Sequence, residues 1–253
     1  MTTWLLVPAV ATVAALYASV GHAGATGYIA VMTLFGIAPS FIRPTALVLN
    51  VVVATIGTVQ FARAGHFDRR LFLPLALASV PCAALGGWLA LPTGMFAKLL
   101  GGVLAVSAIR IVAESLPSAR PARDPDVSDW WAGNSPARLG VLALSGGAIG
   151  LLSGLTGVGG GVFLTPVLLA FRAAPVKTVA AVTAAFILVN SLAGLAGGLA
   201  AGRPIPAPGL ALAAAAAAGG AIGSSLGAFR LPVRSIRLLM AAVLVIASAK
   251  LLL

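Results

Sequence analysis

The chain has 253 residues, of which 60% are hydrophobic and 8% charged, where an ordinary soluble domain carries about 25% charged residues. So few polar side chains cannot cover a soluble surface, and no room is left for a separate soluble enzyme, so the whole chain reads as an all-α polytopic membrane protein. The net charge of +11 comes from 16 Lys and Arg against five acids; the basic residues stand singly or in small groups between apolar stretches, without interleaved aromatics. That pattern excludes nucleic acid as a partner and points to positive loops facing anionic lipid.

The first predicted element covers residues 4–36 and is apolar but interrupted by Gly21, Gly24 and Gly27. Its opening resembles a secretory leader, yet it has no positive n-region and has a counterpart later in the chain, so it is read as mature structure. More than 30 residues as one helix would reach about 50 Å, against about 30 Å of hydrocarbon. A broken pair of helices that enters and returns is therefore predicted, because irregular backbone at membrane depth needs surrounding protein or a water-filled cavity. Three fuller spans follow at about 44–64, 71–91 and 95–112, then a stretch at 115–136 rich in Pro, Asp and Arg that reads as a solvated linker. Trp130 and Trp131 within it are expected at the membrane interface. A second interrupted segment, 137–170, and spans at about 178–201, 208–229 and 235–253 complete the chain.

These elements form one unit used twice. Gly21, Gly24 and Gly27 share their spacing of three with Gly154, Gly157 and Gly160. Asn50 and Asn190 each end an apolar run, and Gly57 and Gly197 follow them by seven residues. Leu91-Pro92, Leu99, Val103, Leu104 and Arg110 match Leu231-Pro232, Leu239, Val243, Leu244 and Lys250 at a constant offset of 140. The predicted organisation is a membrane repeat at 1–114, a linker at 115–136 and a second repeat at 137–253. If each broken segment begins and ends on the same side, 12 basic residues fall on one side and only four (Arg43, Lys98, Arg203, Lys250) on the other. If each crosses once, the split is nearly even. The positive-inside rule prefers the first arrangement, which places the linker in the cytoplasm, both termini outside and the halves in opposite orientations.

Catalytic constellations are missing: no paired carboxylates lie within the spans, Cys82 is the only cysteine, and His22 and His66 are the only histidines. Gly157-Val158-Gly159-Gly160-Gly161 is not followed by Gly-Lys-Ser/Thr and does not complete a dinucleotide fingerprint, so neither ATP drive nor a cofactor is expected. Bare backbone at a helix break can instead hold an anion with N–H groups and the positive end of a half-helix. Gly24, Gly27, Gly157, Gly159, Gly160 and Gly161 are therefore candidate substrate contacts, the alternative being close helix packing. Four-residue spacing at Gly146/Gly150 and Gly219/Gly223/Gly227 reads as packing. Asn50 and Asn190 either bond between helices or line a polar centre, and Thr45, Thr156, Thr183 and Ser191 are candidate hydroxyl donors there. His22 is the titratable side chain at a break, either structural or a proton carrier. Membrane-embedded acids, the usual ion relays, are absent from the middle of every predicted span, which suits an anion exporter driven by membrane potential.

At these residues the chain resembles the sulfite exporter TauE/SafE family, a sulfonate permease group. The resemblance covers about residues 5–253 and is clearest at Gly154-Leu155-Thr156-Gly157-Val158-Gly159-Gly160-Gly161, Thr165-Pro166 and the stretch from Ala180 to Asn190-Ser191. The first half repeats the motif in degenerate form, with His22, Ala25 and Thr26. The resemblance implies export or permeation of sulfite or organosulfonates across the cell membrane. The expected partners are a small anionic substrate and the lipid bilayer, and the glycine-rich faces suit a homodimer. A carboxylate or non-anionic cargo, or a membrane scaffold without transport, are the alternatives.

Overall fold

The computed structural model describes residues 3–37, 39–89, 135–204 and 210–232, with isolated positions at 235, 238, 239, 242 and 245. The predicted span 95–112, the linker up to residue 134 with Trp130 and Trp131, and nearly all of the predicted span 235–253 lie outside the described residues.

All regular structure among the described residues is helical. Five stretches are long and apolar enough to cross a membrane: Phe41–Arg63, Arg69–Trp88, Pro136–Thr156, Val176–Ala200 and Leu210–Arg230. The helices are α1 (Thr3–Ala18), α2 (Ala25–Leu34), α3 (Pro39–Arg63), α4 (Arg69–Trp88), α5 (Pro136–Thr156), α6 (Gly161–Ala170), α7 (Val176–Ala200) and α8 (Leu210–Ser225), the last continued by a π-turn at Leu226–Arg230. Helix α3 starts ahead of the predicted span. Pro44 removes one backbone bond without ending the helix, so Arg43 sits inside α3 instead of in a loop.

Both predicted interruptions are present, and each closes by a recognised glycine device. After α1, the His22 N–H donates to Tyr17 O and the Gly21 N–H to Ala18 O, with Gly21 at φ 77°, which is a Schellman ending. After α5, Gly157 takes φ 74° and its N–H donates to Ser153 O at 2.8 Å. Beyond each break a half-length helix folds back on its predecessor. Gly27 rests on Val13 and Tyr17 of α1, and Gly160 rests on Ser153 and Ile149 of α5. The second segment ends where it began: Arg138 near the start of α5 and Ala173, Ala174 and Pro175 after α6 line one cleft.

The remaining helices pack around these hairpins through bare backbone. Gly146, Gly150 and Gly154 of α5 press on the backbone of Leu75, Ser79 and Ala83 of α4. Gly219 and Gly223 of α8 and Gly227 of its π-turn press likewise on Ala11, Ala15 and Ser19 at α1. A Cβ at any of these six glycines would overlap a carbonyl oxygen, so the four-residue spacing does serve packing. The contacts repeat: α4 lies on α5 as α8 lies on α1, α4 on α7 as α8 on α3, and α6 on α7 as α2 on α3. Helix α7 is the most enclosed of the five candidate spans.

Candidate functional site

The second break lies against the middle of both α3 and α7. Val158 O accepts from Asn50 Nδ2 at 3.2 Å, and Gly159 is flanked by Asn50, Ile187 and Ser191. Gly161 packs on Ile187 and Thr183, and Thr183 shares a 3.1 Å hydroxyl hydrogen bond with Thr165. The first hairpin reaches the same place: Gly21 lies on the Ala180 backbone and the His22 ring faces the Gly161 backbone. Asn50, Thr183 and Ser191 are fully buried and His22 is 3% exposed. The two tips therefore meet inside the bundle between α3 and α7.

One side of this meeting point carries a partial positive charge and the other carries buried polar atoms. Helix α6 begins at Gly160 (φ 83°) with no side-chain cap, so its positive end is presented bare beside Gly159. Asn50 Oδ1, Ser191 Oγ and His22 Nε2 are buried and make no hydrogen bond among the described residues. A buried polar atom without a partner costs about 1–3 kcal/mol, so three together mark a place that a polar ligand or water completes. Ser191 and the α6 N-terminus can donate, whereas Asn50 Oδ1 accepts, and His22, whose Nδ1 faces Val20 O at 3.3 Å, holds its ring proton there and leaves Nε2 an acceptor in the neutral ring. No group of three His, Cys, Asp or Glu among the described residues could hold a metal.

The structure thus brings together His22, Asn50, Gly159, Gly160, Gly161, Thr183 and Ser191. The other candidates lie elsewhere. Gly24 (φ 103°) is covered by Tyr28 and Val13, and Gly27 packs within the same hairpin. Asn190 is fully buried but donates to Ser79 Oγ at 3.1 Å and Phe186 O at 2.8 Å, tying α7 to α4. Thr156 is half-buried and donates to Leu152 O of its own helix at 2.8 Å. Thr45 is buried in α3, whereas Gly160 stays with the gathered residues at the start of α6, its far side against Phe186 and Ser153.

Sequence reasoning missed Arg43. Its side chain covers Gly157, and Nη2 donates to Gly154 O at 2.5 Å, at the C-terminal end of α5. Arg203 donates to Gly87 O at the end of α4, and Gly87 abuts Gly154. Two guanidinium groups thus cap neighbouring helix C-termini, where a cation suits the macrodipole. As loop charges they carried no signal of this; the position of Arg43 one residue before Pro44 was the one available hint that it lies in the first turns of a helix. Thr165 was also overlooked as a hydroxyl, because the Pro beside it drew the reading.

Helices of spanning length that enclose two facing glycine breaks, with polar atoms gathered at their meeting point, fit the class of polytopic membrane transporters. The chain belongs to the sulfite exporter TauE/SafE family, whose model it matches over residues 6–251. It is also similar to a protein described as "Probable membrane transporter protein y4hK" of Sinorhizobium fredii, with 42% identity over 186 residues, covering 73% of this chain and 72% of the relative. No solved structure matched.

Proposed function

We propose that the protein exports a small oxoanion such as sulfite or an organosulfonate, binding it between the two hairpin tips. The observation that carries this reading is the uncapped start of α6 at Gly160, beside Gly159 and the buried unsatisfied hydroxyl Ser191 Oγ. Backbone N–H groups and hydroxyls there can take the place of hydration around an anion without a fixed cation, so release is not opposed by a permanent ion pair. The family supplies the sulfur oxoanion as the leading cargo. A small carboxylate offers similar acceptor atoms and is the second reading.

The two halves act in this reading as oppositely oriented repeats, 1–114 and 137–253, joined by a cytoplasmic linker in the cell membrane. The reciprocal helix contacts support it, as does the grouping of basic residues. Arg69, Arg70 and Arg138 line one cleft, while Arg43 and Arg203 gather at the other ends of α4 and α5. The energy source is the membrane potential, worth about 2.3 kcal/mol per 100 mV for one outward negative charge. Sulfite flux from proteoliposomes, with voltage clamped by valinomycin and potassium, tests this. Flux is expected to rise with inside-negative voltage at constant pH and sodium. Flux that ignores voltage and follows a proton or sodium gradient would reject the driving force, and absence of sulfite flux alongside carboxylate flux would select the second reading.

A further inference from the structure

Away from the breaks, a cavity of about 540 Å³ opens where the loop at 65–68, the start of α4, the start of α5 and the turn into α7 come together. Arg69, Arg70 and Arg138 line it, with His66 beside them, and Asp68 is the one acid on its wall among the described residues. Arg69 and Arg70 are exposed at the rim and Arg138 is buried in the wall. Asp68 turns its carboxylate toward its own helix, accepting from the Arg70 N–H at 2.8 Å and the Leu71 N–H at 3.2 Å. Among the described residues Arg69 and Arg70 outnumber Asp68, and three helix N-termini add positive charge, because α4, α5 and α7 all begin here. Pro175, the cap of α7, offers no side-chain acceptor to that helix's first turn. Thr178 on the cavity wall lies five residues from Thr183, about 7.5 Å along α7. Between them, the Ala180 backbone carries Gly21 of the first hairpin tip.

We infer that this cleft is an oxoanion site distinct from the helix breaks: Arg69 and Arg70 hold the oxygens of a sulfite-, sulfonate- or phosphate-type group at one end of the route to His22 and Gly161. Guanidinium forks match such oxygens in pairs, and the cavity has room for the group with part of its hydration. It rests on the proposed function only in taking the cargo as one source of that group; the phosphate of an anionic lipid is the other.

Equilibrium dialysis of sulfite against the full chain in phosphatidylcholine nanodiscs tests the site. Two bound sulfites are expected for the parent protein. Arg69→Gln with Arg70→Gln, both at exposed positions, is expected to weaken one of them about tenfold or more, and Arg69→Lys with Arg70→Lys to keep it within about threefold. Unchanged stoichiometry and affinity in the Gln pair would overturn the inference. Repeating the dialysis in phosphatidylglycerol nanodiscs separates the sources: loss of the arginine-dependent sulfite there assigns the site to lipid phosphate, and its retention assigns it to the free oxoanion. Arginine-dependent binding without sulfite flux in proteoliposomes would remove the proposed function and leave the cleft site standing.

Discussion

Gly159→Ala and Gly202→Ala form a pair of substitutions that separates backbone strain from site geometry. Both glycines have left-handed backbone, φ 84° and φ 73°, and an alanine there costs about 1–2 kcal/mol in either place. At Gly202 the new methyl meets nothing within 4 Å, so that penalty stands alone. At Gly159 the methyl would lie 2.7 Å from Asn50 Nδ2, 2.9 Å from Ile187 Cγ2 and 3.0 Å from Ser191 Oγ. Asn50 must then leave Val158 O, to which it donates at 3.2 Å. Losing a buried hydrogen bond with both partners enclosed adds about 1–3 kcal/mol. Gly159→Ala should therefore be the less stable of the two by about that amount in thermal unfolding of the detergent-solubilised protein. In proteoliposomes it should lose most of its sulfite flux, whereas Gly202→Ala keeps it. Equal loss of stability and equal flux in the two variants would refute the claim that Gly159 is held open by the site around it.

Gly150→Ala and Gly223→Ala should each destabilise by about 3 kcal/mol, because their methyls overlap the Ser79 and Ala15 carbonyls and the helices must part; Gly140→Ala, with nothing within 4 Å, should stabilise α5 by up to about 1 kcal/mol. Thermal melts of the three check the opposite signs. Asn190→Ala should reduce stability by about 1–3 kcal/mol through its lost bonds to Ser79 and Phe186 while flux per folded molecule is kept, and Asn50→Ala should abolish flux; the reverse pattern would move the site to α4 and α7. Tyr28→Phe removes a buried hydroxyl that has no hydrogen bond among the described residues, so it should be neutral or stabilising and leave flux intact, measured by the same two assays.

Much of the fold was legible because the bilayer imposes simple lengths on apolar segments. The interruptions at Gly21–Gly27 and Gly154–Gly161 could be placed since a continuous helix through them would be too long, and both end in glycine caps. The four-spaced glycines could likewise be read as packing, because that period returns to one helix face. The site was only partly legible. Asn50 and Asn190 each end an apolar run seven residues before a glycine, yet one reaches the second break and the other ties α7 to α4. Nothing local distinguishes them; the difference arises from Ser79, which stands 111 residues from Asn190. Arg43 and Arg203 were hidden for the same reason, since their acceptors Gly154 and Gly87 lie on distant segments.

The two breaks are alike in backbone and unlike in filling. In the first hairpin the ring of Tyr28 covers Gly24, and Thr26 donates its hydroxyl to Tyr17 at 3.0 Å, so aromatic side chains occupy the space beside the start of α2. In the second, residues 159–161 are all glycine; Gly160 meets Phe186, Ser153 and Ile149, while Gly159 and Gly161 are flanked by Thr183, Asn50, Ser191 and Ile187. The first hairpin meets the second break through His22, whose ring faces Gly161. The degenerate first motif is then no decayed copy of a binding loop. Its glycines let the chain turn, its tyrosines close the turn off, and its histidine is carried across to the break that stays open.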